Sequence, residues 1–136
     1  MMDEKFFRAF AAEWIDAWNA HDLDRVLVHY ADDLEMRSPL IVTIAGEPSG
    51  CLKGKAAVRA YWRKGLQLLP DLHFQLVSIL AGVQGLTLMY RGHRGLVAEV
   101  FRFSPDRTVV EVSAHYLLPD WLAEAGRGAE FTMKAG

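Results

Sequence analysis

The chain has 136 residues, of which 51% are hydrophobic and 24% are charged. This length and mixture predict one globular domain spanning residues 1–136, with a core that needs no metal or disulfide. Fifteen basic residues against 17 acidic ones give a net charge of -2, which argues against a nucleic-acid partner. A single cysteine, Cys51, excludes an intramolecular disulfide. It lies in a glycine-rich loop without a neighbouring His in the sequence, which argues against a nucleophilic role.

The start of the chain lacks the basic-then-apolar order of a signal peptide. No apolar stretch approaches the roughly 20 residues that a membrane-spanning helix needs. We therefore expect a soluble cytoplasmic protein without a membrane partner.

Three helices are predicted in the first half of the chain. The first runs to Asn19, because aromatic and apolar residues recur at helical spacing in Phe6, Phe7, Phe10, Ala11, Trp14, Ile15 and Trp18. Asp22 is a suitable N-cap for the second helix. The third begins near Lys55 and ends at Pro70, which cannot continue a helix.

Strands dominate the rest of the prediction. Residues 34–44 are expected to form a strand or hairpin interrupted at Pro39, and residues 45–54 a loop. Four further strands are predicted at about 73–81, 86–92, 95–104 and 108–118, separated by turns rich in Gly and Pro. Helices followed by antiparallel strands indicate an α+β fold. Beyond them we expect a short helix at 120–124 and a flexible tail at about 126–136.

The order and spacing of these elements resemble the NTF2-like superfamily, in its SnoaL-like or ketosteroid-isomerase-like branch. The strongest part is residues 14–39, where an aromatic helix is followed by a short link and a second helix. The glycine-led third helix at 50–62 and the apolar strand at 98–103 are also similar. The resemblance covers about residues 6–118. It implies three helices packed on a strongly curved, mixed but mostly antiparallel sheet that encloses a pocket.

Ketosteroid isomerases place three functional residues on this frame: a base Asp before a Pro, a Tyr in the first helix and a protonated Asp on a strand. The matching positions here are Ser38, Trp14 and Glu99. A serine hydroxyl is too weakly basic to abstract a carbon-bound proton, and Trp14 offers one indole N–H. Only Glu99 keeps the family chemistry, so the departures argue against steroid isomerisation by that mechanism.

Strand alternation places Val97, Glu99, Phe101 and Phe103 on one face of a strand and Arg102 on the other. In an apolar pocket, desolvation would raise the pKa of Glu99 and leave a neutral carboxyl able to donate to a ligand oxygen. Ketosteroid isomerase is itself a known case of this pattern. Alternatively, Glu99 pairs with Arg91 or Arg94 across a hairpin.

Glu99 and Ser38 are therefore the candidate catalytic residues. Candidate ligand-binding residues are the aromatic and flexible apolar side chains that the resemblance places near the pocket, each of which is also suited to core packing: Trp14, Trp18, Tyr30, Met36, Tyr61, Trp62, Met89, Phe101 and Tyr116. The five histidines show no metal-ligand spacing, so we expect neither a metal nor another cofactor.

The resemblance leaves three functions open. The first is a cofactor-free isomerase, cyclase or hydratase that acts on a hydrophobic, carbonyl-bearing small molecule. The second is a non-catalytic pocket for such a molecule, and the third is a dimerisation module. A homodimer is expected through the outer sheet face at Glu111, Ser113 and His115. The opposite parity would instead allow His115 to join a His–Asp dyad.

Overall fold

A computed structural model describes residues 2–118. Within them the helices are α1 (Glu4–Asn19), α2 (Leu23–Leu27) and α3 (Lys55–Leu68), and a π-helical turn covers Ile41–Ala45. The strands are β1 (Tyr30–Arg37), β2 (Cys51–Lys53), β3 (Gln75–Ala81), β4 (Gly85–Gly92), β5 (Gly95–Phe103) and β6 (Val109–Tyr116). The predicted segments at 120–124 and 126–136 lie outside the described residues.

The six strands form one sheet in the order β2-β1-β6-β5-β4-β3. Neighbouring strands are antiparallel except β1 and β6, which are parallel. The sheet is curved and unclosed, with β2 and β3 at its edges. The predicted α+β fold with a mixed, mostly antiparallel sheet is confirmed.

Helix α1 covers the inner face of the sheet. The Asp3 carboxylate accepts a hydrogen bond from the Phe6 backbone N–H and caps the helix. Its buried side chains follow the predicted stripe: Phe7, Phe10, Ala11, Trp14, Ala17 and Trp18. The Phe10 ring meets the rings of Phe101 and Phe103 edge to face, with centroids 5.2 and 5.1 Å apart. These contacts pack the helix against β5.

The end of α1 is fastened to the segment that leads into β3. The Asn19 side-chain amide donates to the Phe74 carbonyl at 2.9 Å, and its oxygen accepts from the Phe74 N–H at 2.7 Å. His21 contacts the Leu72 carbonyl through Nε2 at 2.8 Å. Because these bonds fix the backbone at Phe74, the ring of Phe74 is held against Trp14 and Trp18.

The segment predicted as a strand or hairpin at 34–44 is different in the structure. The strand starts earlier, at Tyr30, and ends at Arg37, and Ile41–Ala45 is a π-helical turn. Its β-branched residues favour a strand, but Ile41 and Ile44, three residues apart, are the two that are buried, as one helical turn allows. The predicted loop at 45–54 contains β2, which pairs with β1.

Alternation along β5 and β6 decides which side chains face the helices. Glu99 and Phe101 are buried on the inner face, whereas Arg102 is exposed on the outer face. In β6, Val112 and Ala114 point inward, and His115 is exposed. This parity places His115 on the outer face, as the resemblance implied. None of the helices formed by residues 2–118 is long and apolar enough to cross a membrane.

Candidate functional site

A cavity of about 100 Å³ lies between the inner face of the sheet, α1, α3 and the π-helical turn. Most of its wall is apolar or aromatic, and His93, Arg94 and Glu99 add ionisable groups. The lining residues are Trp14, Trp18, Met36, Leu40, Ile44, Tyr61, Trp62, Gly65, Leu66, Leu69, Leu72, Phe74, Tyr90, Gly92, His93, Arg94, Val97, Glu99, Ala114 and Tyr116. Pockets for drug-sized ligands span roughly 300–1,000 Å³. In this conformation the cavity therefore suits a small, compact molecule.

Glu99 brings a carboxyl group to this apolar wall. Its side chain is 4% exposed, and its Oε1 accepts a hydrogen bond from the Tyr90 hydroxyl at 2.6 Å. Burial raises the pKa of Glu99 from 4.5 to about 7, although the hydrogen bond from Tyr90 works in the opposite direction. The described hydrogen bond to Glu99 thus comes from a phenol, and Arg91 is exposed. Near neutral pH this carboxyl is able both to give and to take a proton.

All four tyrosines of the sequence surround this carboxyl. Burial raises the pKa of Tyr30, Tyr61, Tyr90 and Tyr116, and negative charge on Glu99 raises each pKa further. Their hydroxyl groups therefore stay protonated at neutral pH and serve as neutral hydrogen-bond donors. The hydrogen bond that the described residues give Glu99 comes from one of these neutral donors, Tyr90, which does not force the carboxyl to ionise as a bonded cation would.

Ser38 lies behind the cavity wall and is 3% exposed. Its Oγ accepts from the Leu40 backbone N–H at 3.2 Å. As a hydrogen-bond partner it limits the rise in the pKa of Tyr61 and Tyr116, which burial produces. The structure thus gives Ser38 the surroundings of a residue that orients two phenols.

Trp14 also has its polar atom engaged within the protein. Its indole Nε1–H donates to the Tyr30 hydroxyl at 2.9 Å, and each of these residues is 1% exposed. An indole has one donor, so Trp14 has none left for a ligand. Its ring still lines the cavity, stacked against Phe74 with centroids 5.9 Å apart.

The predicted site residues separate into three groups. The cavity is lined by Trp14, Trp18, Met36, Tyr61, Trp62, Glu99 and Tyr116. Ser38, Tyr30 and Phe101 are buried but are not among the lining residues. Met89 is on the opposite face of β4, because the buried residues of that strand are Leu86, Leu88 and Tyr90. Met89 is therefore misplaced in the sequence-based set.

Tyr90 is the contact that sequence reasoning missed. Strand β4 joins β5 through a two-residue turn at His93 and Arg94, where Gly92 pairs with Gly95. Counting back from that turn places Tyr90 opposite Val97, diagonally next to Glu99 on the same face. The spacing of Gly92 and Gly95 in the sequence was the signal from which this register could have been predicted. Within residues 2–118, no three His, Cys, Asp or Glu side chains are grouped to hold a metal ion.

The helices packed on a curved, unclosed six-stranded sheet are the architecture of the NTF2-like α+β cone proteins. More particularly, residues 11–133 match the SnoaL-like domain family, and the chain belongs to that family. A SnoaL-like protein of unknown function from Burkholderia thailandensis is 57% identical in sequence. It superposes with a TM-score of 0.81 over 85% of this chain and 98% of its own.

Two more distant structures share the fold. One is SalBIII, described as an epoxide hydrolase/cyclase-like enzyme in pyran ring formation in the polyether salinomycin, with 15% identity, a TM-score of 0.69 and coverage of 87% and 95% of the two chains. The other is a putative polyketide cyclase from Sinorhizobium meliloti, with 10% identity, a TM-score of 0.65 and coverage of 84% and 100%. At these identities the likeness shows the fold alone. No functionally curated protein matches the sequence.

Burial of Glu99 predicts that the protein loses stability as the pH rises from 4.5 to about 7. In this window the folded state holds a proton that the unfolded state has released, so the free energy of unfolding falls with pH and levels off above the folded-state pKa. The expected loss is on the order of 3 kcal/mol. Urea unfolding at about pH 5 and about pH 8 should show a larger drop for the wild type than for Glu99→Gln. Equal drops would contradict a raised pKa.

Substitution of Gly65 by alanine is expected to stabilise the protein and to reduce the volume of the cavity. It lies within α3 and lines the cavity, and a Cβ there would meet no atom of the described residues within 4 Å. Alanine is favoured over glycine inside a helix by roughly 0.5–1 kcal/mol, so Gly65→Ala should raise the free energy of unfolding by about that amount. Urea unfolding measures the change, and Ala60→Gly on the exposed side of α3 should lose a comparable amount. If Gly65→Ala instead destabilised the protein, the added methyl group would have no free space at this position.

Proposed function

We propose that this protein binds a compact, largely apolar small molecule with a carbonyl, ether or epoxide oxygen, and that Glu99 catalyses its rearrangement by proton transfer. The observation that carries the proposal is a buried carboxyl with a pKa of about 7, raised by burial, at the wall of an apolar cavity. General acid–base catalysis works best when the pKa of the group lies near the working pH. No cofactor is needed for such a step.

The surroundings of Glu99 suit a general acid that donates its proton in the first step of the reaction. Tyr90 donates to Oε1, which leaves Oε2 to carry the proton toward a ligand. In a cyclisation, that proton would pass to the ligand oxygen as its C–O bond breaks, and a hydroxyl group of the same ligand would attack the released carbon. The attacking hydroxyl would then return its proton to the Glu99 carboxylate. The net reaction is an isomerisation that regenerates the carboxyl.

Two solved structures with the same fold support the proposal by analogy. SalBIII is described as acting in pyran ring formation, and the Sinorhizobium meliloti protein as a putative polyketide cyclase. Both share the fold at low identity, so they support the proposal by analogy. Isomerisations and hydrations that begin with proton transfer to a ligand oxygen belong to the same proposal.

A non-catalytic binding protein is the second candidate. Two observations favour it: Ser38 stands where the isomerases have a base, and the Trp14 N–H is engaged by Tyr30. Of the three positions carried over from the isomerases, only Glu99 therefore retains a group for catalysis. Binding without turnover would follow if Glu99 served only as a hydrogen-bond partner for the ligand.

Ring closure of a small epoxy alcohol to a cyclic ether, followed by gas chromatography, separates the two candidates. We expect wild-type protein to accelerate closure, with a rate that falls as the pH rises through about 7, because the acid must be protonated. Glu99→Gln should lower the rate by about 10²–10⁴-fold while the probe still binds. Tyr90→Phe removes a bond that lowers the pKa of Glu99, so it should move the fall in rate to higher pH. Equal binding without turnover in wild type and Glu99→Gln would favour the non-catalytic candidate.

We also propose a homodimer through the outer face of the sheet. That face carries an Arg102–Glu111 ion pair, and the exposed Val100 and His115 lie beside it. Polar groups around exposed apolar side chains are typical of interfaces between protein chains. Light scattering at micromolar concentration should give twice the monomer mass of 15.3 kDa. A monomer at that concentration would contradict the dimer.

A further inference from the structure

We propose that the indole N–H of Trp18 is the donor that holds an acceptor oxygen of the bound ligand, at a point separate from Glu99. This inference rests on the proposed function, since it needs a ligand in the same cavity. It changes which tryptophan recognises the ligand. The resemblance pointed to Trp14, whereas the structure points one helical turn further along α1.

The first observation is a buried donor without a described partner, on a residue of the cavity wall. Trp18 lines the cavity and is 6% exposed, yet its Nε1 has no hydrogen-bond partner among the described residues. Buried side-chain donors nearly always find a partner, because an unsatisfied one loses its hydration without compensation. Trp14, four residues earlier, follows that rule through Tyr30. An oxygen brought by a ligand would satisfy the donor of Trp18 in the same way.

The second observation is that packing holds the Trp18 ring in place. Its centroid lies 6.1 Å from that of Trp14, 5.0 Å from that of Trp62 and 5.7 Å from that of Phe74. The first two contacts are edge to face, and all three partner rings are themselves part of the cavity wall. A ring surrounded in this way has little freedom to turn its N–H toward another partner. The donor is therefore oriented before the ligand arrives, which favours binding.

The chemistry of the donor selects the class of ligand. One neutral N–H in an aromatic wall matches a neutral oxygen acceptor, such as that of a ketone, ester, ether or epoxide. It offers too little to compensate a full negative charge removed from water. The aromatic rings around it favour a flat or cyclic apolar body beside that oxygen. A ligand with two oxygen atoms would engage Trp18 with one and Glu99 with the other.

Acetophenone and α-methylstyrene form a matched pair of probes. They have nearly the same shape, but a carbonyl oxygen in the first is replaced by a methylene carbon in the second. The chain has four tryptophans, and Trp18→Phe identifies the Trp18 signal among their indole N–H resonances in a nitrogen–proton correlation spectrum. We expect acetophenone to move this signal downfield, as a new hydrogen bond does, and α-methylstyrene to leave it without a downfield shift.

The same titrations give the affinity of wild type and Trp18→Phe for each of the two probes, and these four affinities form a double cycle. Trp18→Phe removes the donor together with part of the ring, so lost apolar contact weakens both probes alike. Loss of the hydrogen bond weakens acetophenone alone, and we expect an additional loss of about fivefold to tenfold for that probe. The unliganded variant should keep the dispersed spectrum of the wild type, which shows that the cavity is still formed.

Each outcome decides the inference. A downfield Trp18 shift with acetophenone, together with the selective loss in Trp18→Phe, supports it. Binding of both probes in the cavity, without the Trp18 shift and with equal losses, overturns it but leaves the proposed function standing. Failure of both probes to bind wild-type protein at millimolar concentration overturns the inference and counts against the proposed ligand class as well.

Discussion

The burial of one carboxyl group beside one phenol is the constraint on which the site depends. Glu99 is withdrawn from water, and the hydrogen bond from Tyr90 is the contact that partly compensates. Because that partner is neutral, burial prevails and raises the pKa of Glu99 to about 7. The hairpin that joins β4 to β5 is essential to this balance, since its register sets the two residues diagonally across the strands. A cation in place of Tyr90 would leave a permanently ionised carboxylate.

The two positions that the sequence resemblance matches to the base and the tyrosine of ketosteroid isomerases belong to internal contacts here. Trp14 donates to Tyr30, and Ser38 acts on the phenols of Tyr61 and Tyr116. These contacts stabilise the wall of the cavity without presenting a base or a second acid to its interior. One frame can therefore support different chemistry when small changes turn a reactive group into a structural one. Of these three positions, Glu99 is the one that brings a carboxyl group to the cavity wall.

The order of helices and strands was predictable because it follows from periodicity. The apolar stripe of α1 and the alternation around Glu99 depend only on neighbours along the chain. Residues 41–45 were not predictable in the same way, since their β-branched side chains favour a strand while burial of Ile41 and Ile44 favours a helical turn. The bond between Trp14 and Tyr30 joins separate elements. Periodicity cannot tell which indole N–H finds a partner. That Trp14 has one and Trp18 has none among the described residues is visible only in the three-dimensional structure.

The pairing of the first strand with the last has a consequence for synthesis of the protein. Strand β1 lies between β2 and β6, and its parallel partner β6 is made about 80 residues later. A nascent chain that has emerged only as far as β5 therefore lacks β6, one of the two central strands of the sheet, and with it Ala114 and Tyr116 of the cavity wall. Until Tyr116 has left the ribosome, β6 cannot pair fully with β1 and β5, the two strands that it joins. A ligand thus meets a complete binding cavity only after translation has passed this point, and it cannot guide the earlier steps of folding.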